Sequence, residues 1–284
     1  MPLPSLGKIK PLGLVQGGYP LAVDFGVGAL KVLQIAPGAK DSDPPTLVAA
    51  ATIDTPDELA GDHAKRLEFQ TEELHKLIKC GGFTTRRAVC SIPAAQTFCK
   101  HMQVQRDPSV ALQELVKAAV SSQLACHPDA LVYRQIEVEM EAAGGGSGKA
   151  EVICLAASRD LIGKLMGGLR SCRLEPVGIH PECLATLHAF DYITRRAQDD
   201  QLVSLYLDVG SLTTKVIIAH GRKLVFSKTI HLAGRHFDQA AAKQLRCDLR
   251  AARSQRMLAT SLVPVSKPAP TPAHAQSDNG GGGG

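Results

Sequence analysis

Asp24-Phe25-Gly26-Val27-Gly28-Ala29-Leu30-Lys31 and Asp208-Val209-Gly210-Ser211-Leu212-Thr213-Thr214-Lys215 share one pattern, D-x-G-x-x-x-x-K. Each copy follows an apolar run, Leu21 to Asp24 in the first case and Gln201 to Asp208 in the second, and each opens a predicted β-hairpin. A buried strand ending in Asp and then Gly sets a carboxylate at the mouth of a cleft, with backbone N–H groups of the turn directed to the same place. Two such turns facing one another hold a polyphosphate: the amides bind the anion, and Asp24 and Asp208 hold Mg²⁺ through water. Gly26 and Gly210 suit that task because a side chain there blocks close approach of a phosphate. Val27, Gly28 and Lys31 complete the first candidate loop; Ser211 and Thr213, as hydroxyl donors, and Lys215 complete the second. A single Asp-x-Gly turn is more often a tight turn with a solvated Asp. The pairing of two copies brings the site reading level with that simpler one.

Around these copies strands and helices alternate, which points to an α/β fold. Leu30 to Ile35 and Thr46 to Ile53 read as strands, and Pro56 to Lys79 as an amphipathic helix stopping at Gly81-Gly82. Ala88 to Ile92 and Thr97 to Val104 are strands. Leu112, Leu115, Val116 and Ala119 mark a helix begun by Asp107-Pro108-Ser109. Leu131 to Glu139 and Glu151 to Ala156 form a hairpin, followed by a helix through Leu161 and Leu169, a strand at Val177 to Ile179, and a helix from Cys183 to Ile193. Thr214 to Ala219 and Leu224 to Ile230 continue the second hairpin, and one last helix spans Phe237 to Ala252. From about Leu262 the Pro/Ala/Ser-rich, Gly-ended segment cannot offset its ordering entropy by burial, so disorder is expected.

The bulk properties exclude several classes. A formal charge of +5 over 284 residues is too mild to mark a nucleic-acid binder. The N-terminus carries Lys8 and Lys10 but no apolar core of a signal peptide, and no run approaches the ~18 apolar residues of a membrane span, so a cytoplasmic protein is expected. The eight Cys lack any C-x-x-C spacing and read as small hydrophobes, and the ten His form no H-x-x-x-H pair. Gly144 to Lys149 imitates a P-loop, but Ala143 and Ala150 stand where Gly and Ser/Thr are required, leaving a hairpin loop. Lys243, Arg246, Arg250 and Arg253 form a stripe best read as a solvated helix face, with contact to anionic lipid as the other reading.

The twin Asp-x-Gly loops resemble the two phosphate loops of the actin, sugar-kinase and chaperone ATPase superfamily. More narrowly, LAVDFGVGALKVLQI, AVCSIPAAQTFCKHMQV, Glu151 to Leu187 and LYLDVGSLTTKVIIAHGRKLVFSKTIHLAGRHFDQAAAKQL resemble, in order, the PilM family of type IV pilus assembly proteins. The resemblance implies an actin-like (ribonuclease H-like) ATPase fold with an inserted small α+β subdomain, also found in the FtsA cell-division family. It divides the chain into an extension at 1–18, a first actin-like subdomain at 19–87, an insert at 88–176, a return segment at 177–200, a partial second domain at 201–257 and a tail at 258–284. It further implies ATP with Mg²⁺ as ligand, a PilN-like inner-membrane protein as partner through its cytoplasmic tail, and a place on the cytoplasmic face of the inner membrane. Pilus, type II secretion and competence systems are equally compatible, and oligomeric state is left open.

Two departures weaken the nucleotide expectation. Val27, Gly28 and Ala29 supply no hydroxyl where the family carries Ser or Thr, and the pattern stops near Met257, short of the subdomain that lines adenine and ribose. Loss of that wall removes adenosine binding energy, so weak or absent ATP binding is expected. Glu182 lies near the family's water-orienting position, yet a Glu in a first helical turn is stabilised there in any case. An active ATPase or small-molecule kinase of the same superfamily is one alternative, though no general base is visible. An FtsA-like protein is another, against which stands the absence of an amphipathic terminal helix.

Overall fold

The first Asp-Gly copy closes the hairpin from β1 (Leu21–Phe25) to β2 (Ala29–Ala36) in the computed structural model of the chain. The structure describes residues 18–38, 40, 43–138, 148–190 and 197–258. The expected N-terminal extension up to 17, the Gly-rich loop through Ser147, Ile193 and the tail from 259 lie outside them. β3 (Thr46–Asp54) pairs antiparallel with β2, while β4 (Arg87–Ile92) and β8 (Glu175–Pro181) extend the sheet in parallel, giving the order β3-β2-β1-β4-β8. Alternation along the strands turns Leu21, Val23, Phe25, Leu30, Val32 and Cys90 into one core, which α1 (His63–Cys80) and α3 (Arg159–Ser171) cover with Leu74, Ile78, Leu165 and Leu169.

A second sheet is built from β5 (Phe98–Gln105), β6 (Leu131–Glu137) and β7 (Lys149–Ser158), with β7 central. Helix α2 (Leu112–Leu124) packs on one face through Val116 and Val120, against Val152 and Cys154. The other face of β7 offers Ile153 and Leu155 to α4 (Glu182–Ala189) and to a third sheet, ordered β11-β10-β9. That sheet comprises β9 (Val203–Val209), β10 (Thr214–His220) and β11 (Lys223–Ile230), and the second Asp-Gly copy joins its first two strands. The unbroken apolar run Val152 to Ala157 follows from this position, because a strand covered on both sides has no solvent face to alternate with.

Residues to Phe237 form one compact unit and those from Asp238 a second. Helix α5 (Gly234–Leu245) runs into the second unit, which also holds α6 (Leu249–Leu258). The single helix expected over 237–252 is therefore two. Arg246 takes a left-handed φ of 53°, and Asp248 then caps α6 by accepting from the Ala251 amide at 2.8 Å. Within this unit Asp238, 2 % exposed, accepts from both Arg253 and Arg256.

Other boundaries move for equally local reasons. The helix expected from Pro56 begins at His63, because Asp62 accepts from the Ala64 and Lys65 amides and so fixes the start. Asp107 does not cap a helix; it closes a turn with Ser109, and α2 starts at Leu112. The expected insert at 88–176 splits. β4 and α3 belong to the first sheet and its core, so the portion that packs as a separate sheet lies within 98–158.

The doubly covered β7 makes a clear stability prediction. Ile153→Ala, at a fully buried position, should cost about 2–5 kcal/mol in urea unfolding. Leu47→Ala on exposed β3 should stay within about 0.5 kcal/mol of the parent.

Candidate functional site

The antiparallel registers place Lys31 directly across from Asp24, and Lys215 directly across from Asp208. In both hairpins the Asp and the Lys thus share one sheet face, so the repeated pattern is also a repeated cross-strand ion pair. The first is loose and wet: Lys31 Nζ lies 3.8 Å from Asp24 Oδ2, with the lysine side chain 63 % exposed. The second is tight, at 2.7 Å, with the Lys215 side chain only 10 % exposed.

A third group explains the difference. Glu182, at the start of α4, brings its Oε2 to 2.8 Å from Lys215 Nζ. The same oxygen accepts from the Ala94 amide at 3.0 Å, in the short 3₁₀ turn after β4. Burial alone would push the Lys215 ammonium down in pKa, but the Glu182 and Asp208 carboxylates outweigh it, and the value stands above the usual 10.5. Lys215 therefore remains a cation across the neutral range.

The loops themselves are closely fitted. Gly26 leaves no room for a Cβ, which would sit 2.9 Å from the Ala29 carbonyl oxygen, and Gly210 is held likewise against the Thr213 carbonyl oxygen, which accepts from its amide at 3.0 Å. A Cβ on Gly28 would lie 2.9 Å from Ser211 Cβ, so the two turns abut at that point. Behind the first turn the buried Gln70 donates to the Gly26 carbonyl at 2.7 Å and to Thr55 Oγ1 at 2.8 Å. Ser91, on β4, donates to Asp24 Oδ1 at 2.6 Å. Behind the second turn, the Gly234 and Arg235 amides donate to the carbonyls of Gly210 and Ser211.

Asp24, Gly26, Val27, Gly28, Lys31, Glu182, Asp208, Gly210, Ser211, Thr213 and Lys215 all line one cleft of about 280 Å³. The residues singled out for the two Asp-Gly loops, together with Glu182, thus lie around one cleft. Ser91, Gln70 and the Ala94 amide were missed. Ser91 is one polar residue in the strand Arg87–Ile92, and Gln70 one polar residue in a helix, so neither carries a local signal. Glu182 is both a first-turn residue and part of the cleft lining, paired with Lys215.

A neighbouring groove of about 480 Å³ shares Asp24, Lys31, Glu182, Asp208 and Lys215. A separate one of about 550 Å³ runs between α1 and α3 and reaches Pro93 and Gln96. No group of His, Cys, Asp and Glu among the described residues is placed to hold a metal ion, and no helix there is long and apolar enough to cross a membrane.

Removal of Lys215 is the sharpest probe of the clasp. Lys215→Met leaves two carboxylates facing one another and should cost about 3–5 kcal/mol at neutral pH, with Lys215→Met/Glu182→Gln recovering part of it. A lysine whose folded pKa is raised adds stability below its unfolded value and loses it as pH climbs through the folded one. The gap between parent and Lys215→Met in chemical unfolding should therefore be constant from neutral pH to about 10 and narrow above 10.5.

No protein-family model and no curated protein matches the chain. Solved structures do. The chain is similar to PilM in a PilM–PilN type IV pilus biogenesis complex, with a TM-score of 0.69 and 22 % identity over 84 % of this chain and 69 % of that one. The cytoplasmic domain of EpsL, an inner-membrane component of the Vibrio cholerae type II secretion system, aligns with a TM-score of 0.47 and 12 % identity over 80 % and 75 %. MreB5 of Spiroplasma citri bound to ADP aligns at 0.42 and 12 % over 86 % and 63 %. The chain accordingly has the actin-like α/β fold shared with PilM, as the twin hairpins predicted.

Proposed function

We propose that this chain is a PilM-like scaffold of a pilus, type II secretion or competence system, which captures the cytoplasmic tail of a PilN-like inner-membrane protein. The likeness to PilM taken from a PilM–PilN complex carries this reading. Its place is then the cytoplasmic face of the inner membrane, reached through the partner.

The groove between α1 and α3 is the proposed seat of that tail. Its volume of about 550 Å³ is enough to take a few anchoring side chains of a peptide, since pockets of about 300–1,000 Å³ bury most of a drug-sized group. Leu67, Leu161 and Leu165 give it apolar anchor points, while Glu68, Asp160 and Lys164 stand at its polar rim. Apolar pockets with a charged border are what an amphipathic tail needs for affinity and register.

The twin-loop cleft serves structure more than catalysis in this reading. Mg²⁺ held through Asp24 and Asp208 does not fit these residues: the Lys215 ammonium already bridges Asp208 and Glu182, and Ser91 engages Asp24. A second cation beside that ammonium meets direct repulsion. The contact of Gly28 with Ser211 also narrows the gap between the loops, in a cleft of only about 280 Å³. Lys31 and the glycine turn still suit a single phosphate group, so weak anion binding without hydrolysis is the outcome expected.

Two measurements test these statements. A labelled N-terminal peptide of a PilN-like inner-membrane protein should bind saturably in fluorescence anisotropy. Ala64→Trp, which fills the groove from an exposed helix position, should weaken it at least tenfold at unchanged melting temperature. No binding by folded protein would overturn the scaffold reading. Isothermal titration with Mg-ATP should give no micromolar affinity; finding one would refute the reading of the cleft as a structural clasp.

A further inference from the structure

The eight cysteines look alike in the sequence and all are free thiols, but their surroundings divide them. Cys90, Cys154 and Cys172 lie in apolar cores, where burial pushes the thiols up, to about 12 for Cys90 and about 11 for Cys154. They act there as small hydrophobes. Cys99 and Cys183 do not fit that description. The β5 register sets Cys99 opposite Leu155, on the face of the second sheet that packs against α4 and the third sheet. Cys183 is the second residue of α4 and lies in the same core, 7 % exposed, while Cys99 is half-buried beside it. The two thiols are hydrogen-bonded to each other, and in the neutral pair Cys99 Sγ also donates to the Ser227 carbonyl of β11 at 3.4 Å. The hydrogen bond from Cys183 outweighs burial at Cys99 and holds its thiol down to about 7, while the same bond pushes Cys183 up. One sulfur is thus partly thiolate at neutral pH, with a protonated thiol against it. A reachable thiolate with a second thiol in contact is the arrangement of redox-sensing cysteines.

We propose that Cys99 and Cys183 form a reversible disulfide in response to peroxide, stapling the second sheet to the start of α4. The Cys99 thiolate attacks one oxygen of the peroxide, and the O–O bond breaks. Cys99 becomes a sulfenic acid, and the other oxygen leaves with a proton as water or an alcohol. Cys183 then attacks the Cys99 sulfur: the S–S bond forms, and the sulfenic hydroxyl leaves as water with the Cys183 proton. Two thiols lose two electrons in all, and one peroxide takes them up. Cys154 does not compete as the second thiol, because it faces the α2 core from the opposite side of β7. Cys183 directly follows Glu182, so the link would tie the clasp on Lys215 to β5 as well. All of these residues lie within the first compact unit. In a reducing compartment such a bond is transient and is reopened by small thiols, which suits a signal more than a structural brace.

The test is thiol counting and peptide mapping of the full chain, which needs no variant. Reduced protein freed of reductant is treated with a small molar excess of hydrogen peroxide. Two of its eight thiols should be lost when counted in denaturant, and dithiothreitol should restore both. Digestion without reductant should yield Cys99 joined to Cys183 as the main cross-link, within one chain. Cys183→Ser keeps a hydrogen-bond donor but cannot close the bond, so it should leave a sulfenic acid at Cys99 that dimedone labels. Cys99→Ser should give neither the label at Cys183 nor the link. Eight intact thiols after peroxide, a main cross-link through any other cysteine, or a link that joins two chains would each overturn the proposal. Peptide capture at the α1–α3 groove does not enter this test, so failure of one reading leaves the other standing.

Discussion

The Lys215 ammonium, held between Asp208 and Glu182, is the interaction on which the arrangement of the site depends. It joins β10 to β9 and to the start of α4, and Glu182 passes the tie on to the turn after β4 through the Ala94 amide. Four separate stretches of chain thus converge on one cation. Such a group is costly to bury, since the ion loses hydration as it leaves water, and the cost is recovered only where the carboxylates and hydrogen bonds are well placed. Here two acids meet one base, with Asp208 still 41 % exposed, so water shares in balancing the excess negative charge. The clasp is better understood as a device that sets the relative position of the elements than as a large source of net stability.

The same logic accounts for the strong coverage of β7. Its two faces bring the α2 core and the α4–third-sheet core together on one strand. A residue such as Ile153 then belongs to a different packing cluster from its neighbour Val152. Register along β7 is consequently pinned twice, because a one-residue slip would exchange the contents of both cores. Glu182 leads α4, whose Cys183, Leu184 and Leu187 pack against the second of these cores, so the position of the carboxylate in the cleft is set by apolar packing behind it.

Much of this was legible in the sequence, but only where the signal was local. The two Asp-Gly copies, the stop at Gly81 and the hairpin of Leu131 and Glu151 follow from short-range turn and strand chemistry. The extra structure was not, because it depends on distant partners. Nothing near Ser91 shows that its hydroxyl will meet Asp24, and nothing near Gln70 shows that it will hold the Gly26 carbonyl. The break between α5 and α6 was missed for the opposite reason: apolar periodicity runs through it, and one left-handed residue, Arg246, overrides that pattern. The pairing of 88–92 with β1 was not legible either, since a short apolar strand carries no mark of the sheet that it will join.

The two copies show how far a repeated motif constrains function. Both have the same spacing and the same register, so both set a lysine opposite an aspartate as a matter of hairpin geometry. What differs is the neighbour. Asp24 faces Ser91, a neutral donor, and its lysine remains in solvent. Asp208 faces a lysine that a second carboxylate has drawn inward. A phosphate approaching the first loop finds an exposed, solvated cation, whereas one approaching the second finds a cation already committed to two acids. The repeated pattern therefore supplies two equivalent frames, and the residue at position 182, contributed from outside either hairpin, makes them electrostatically unequal.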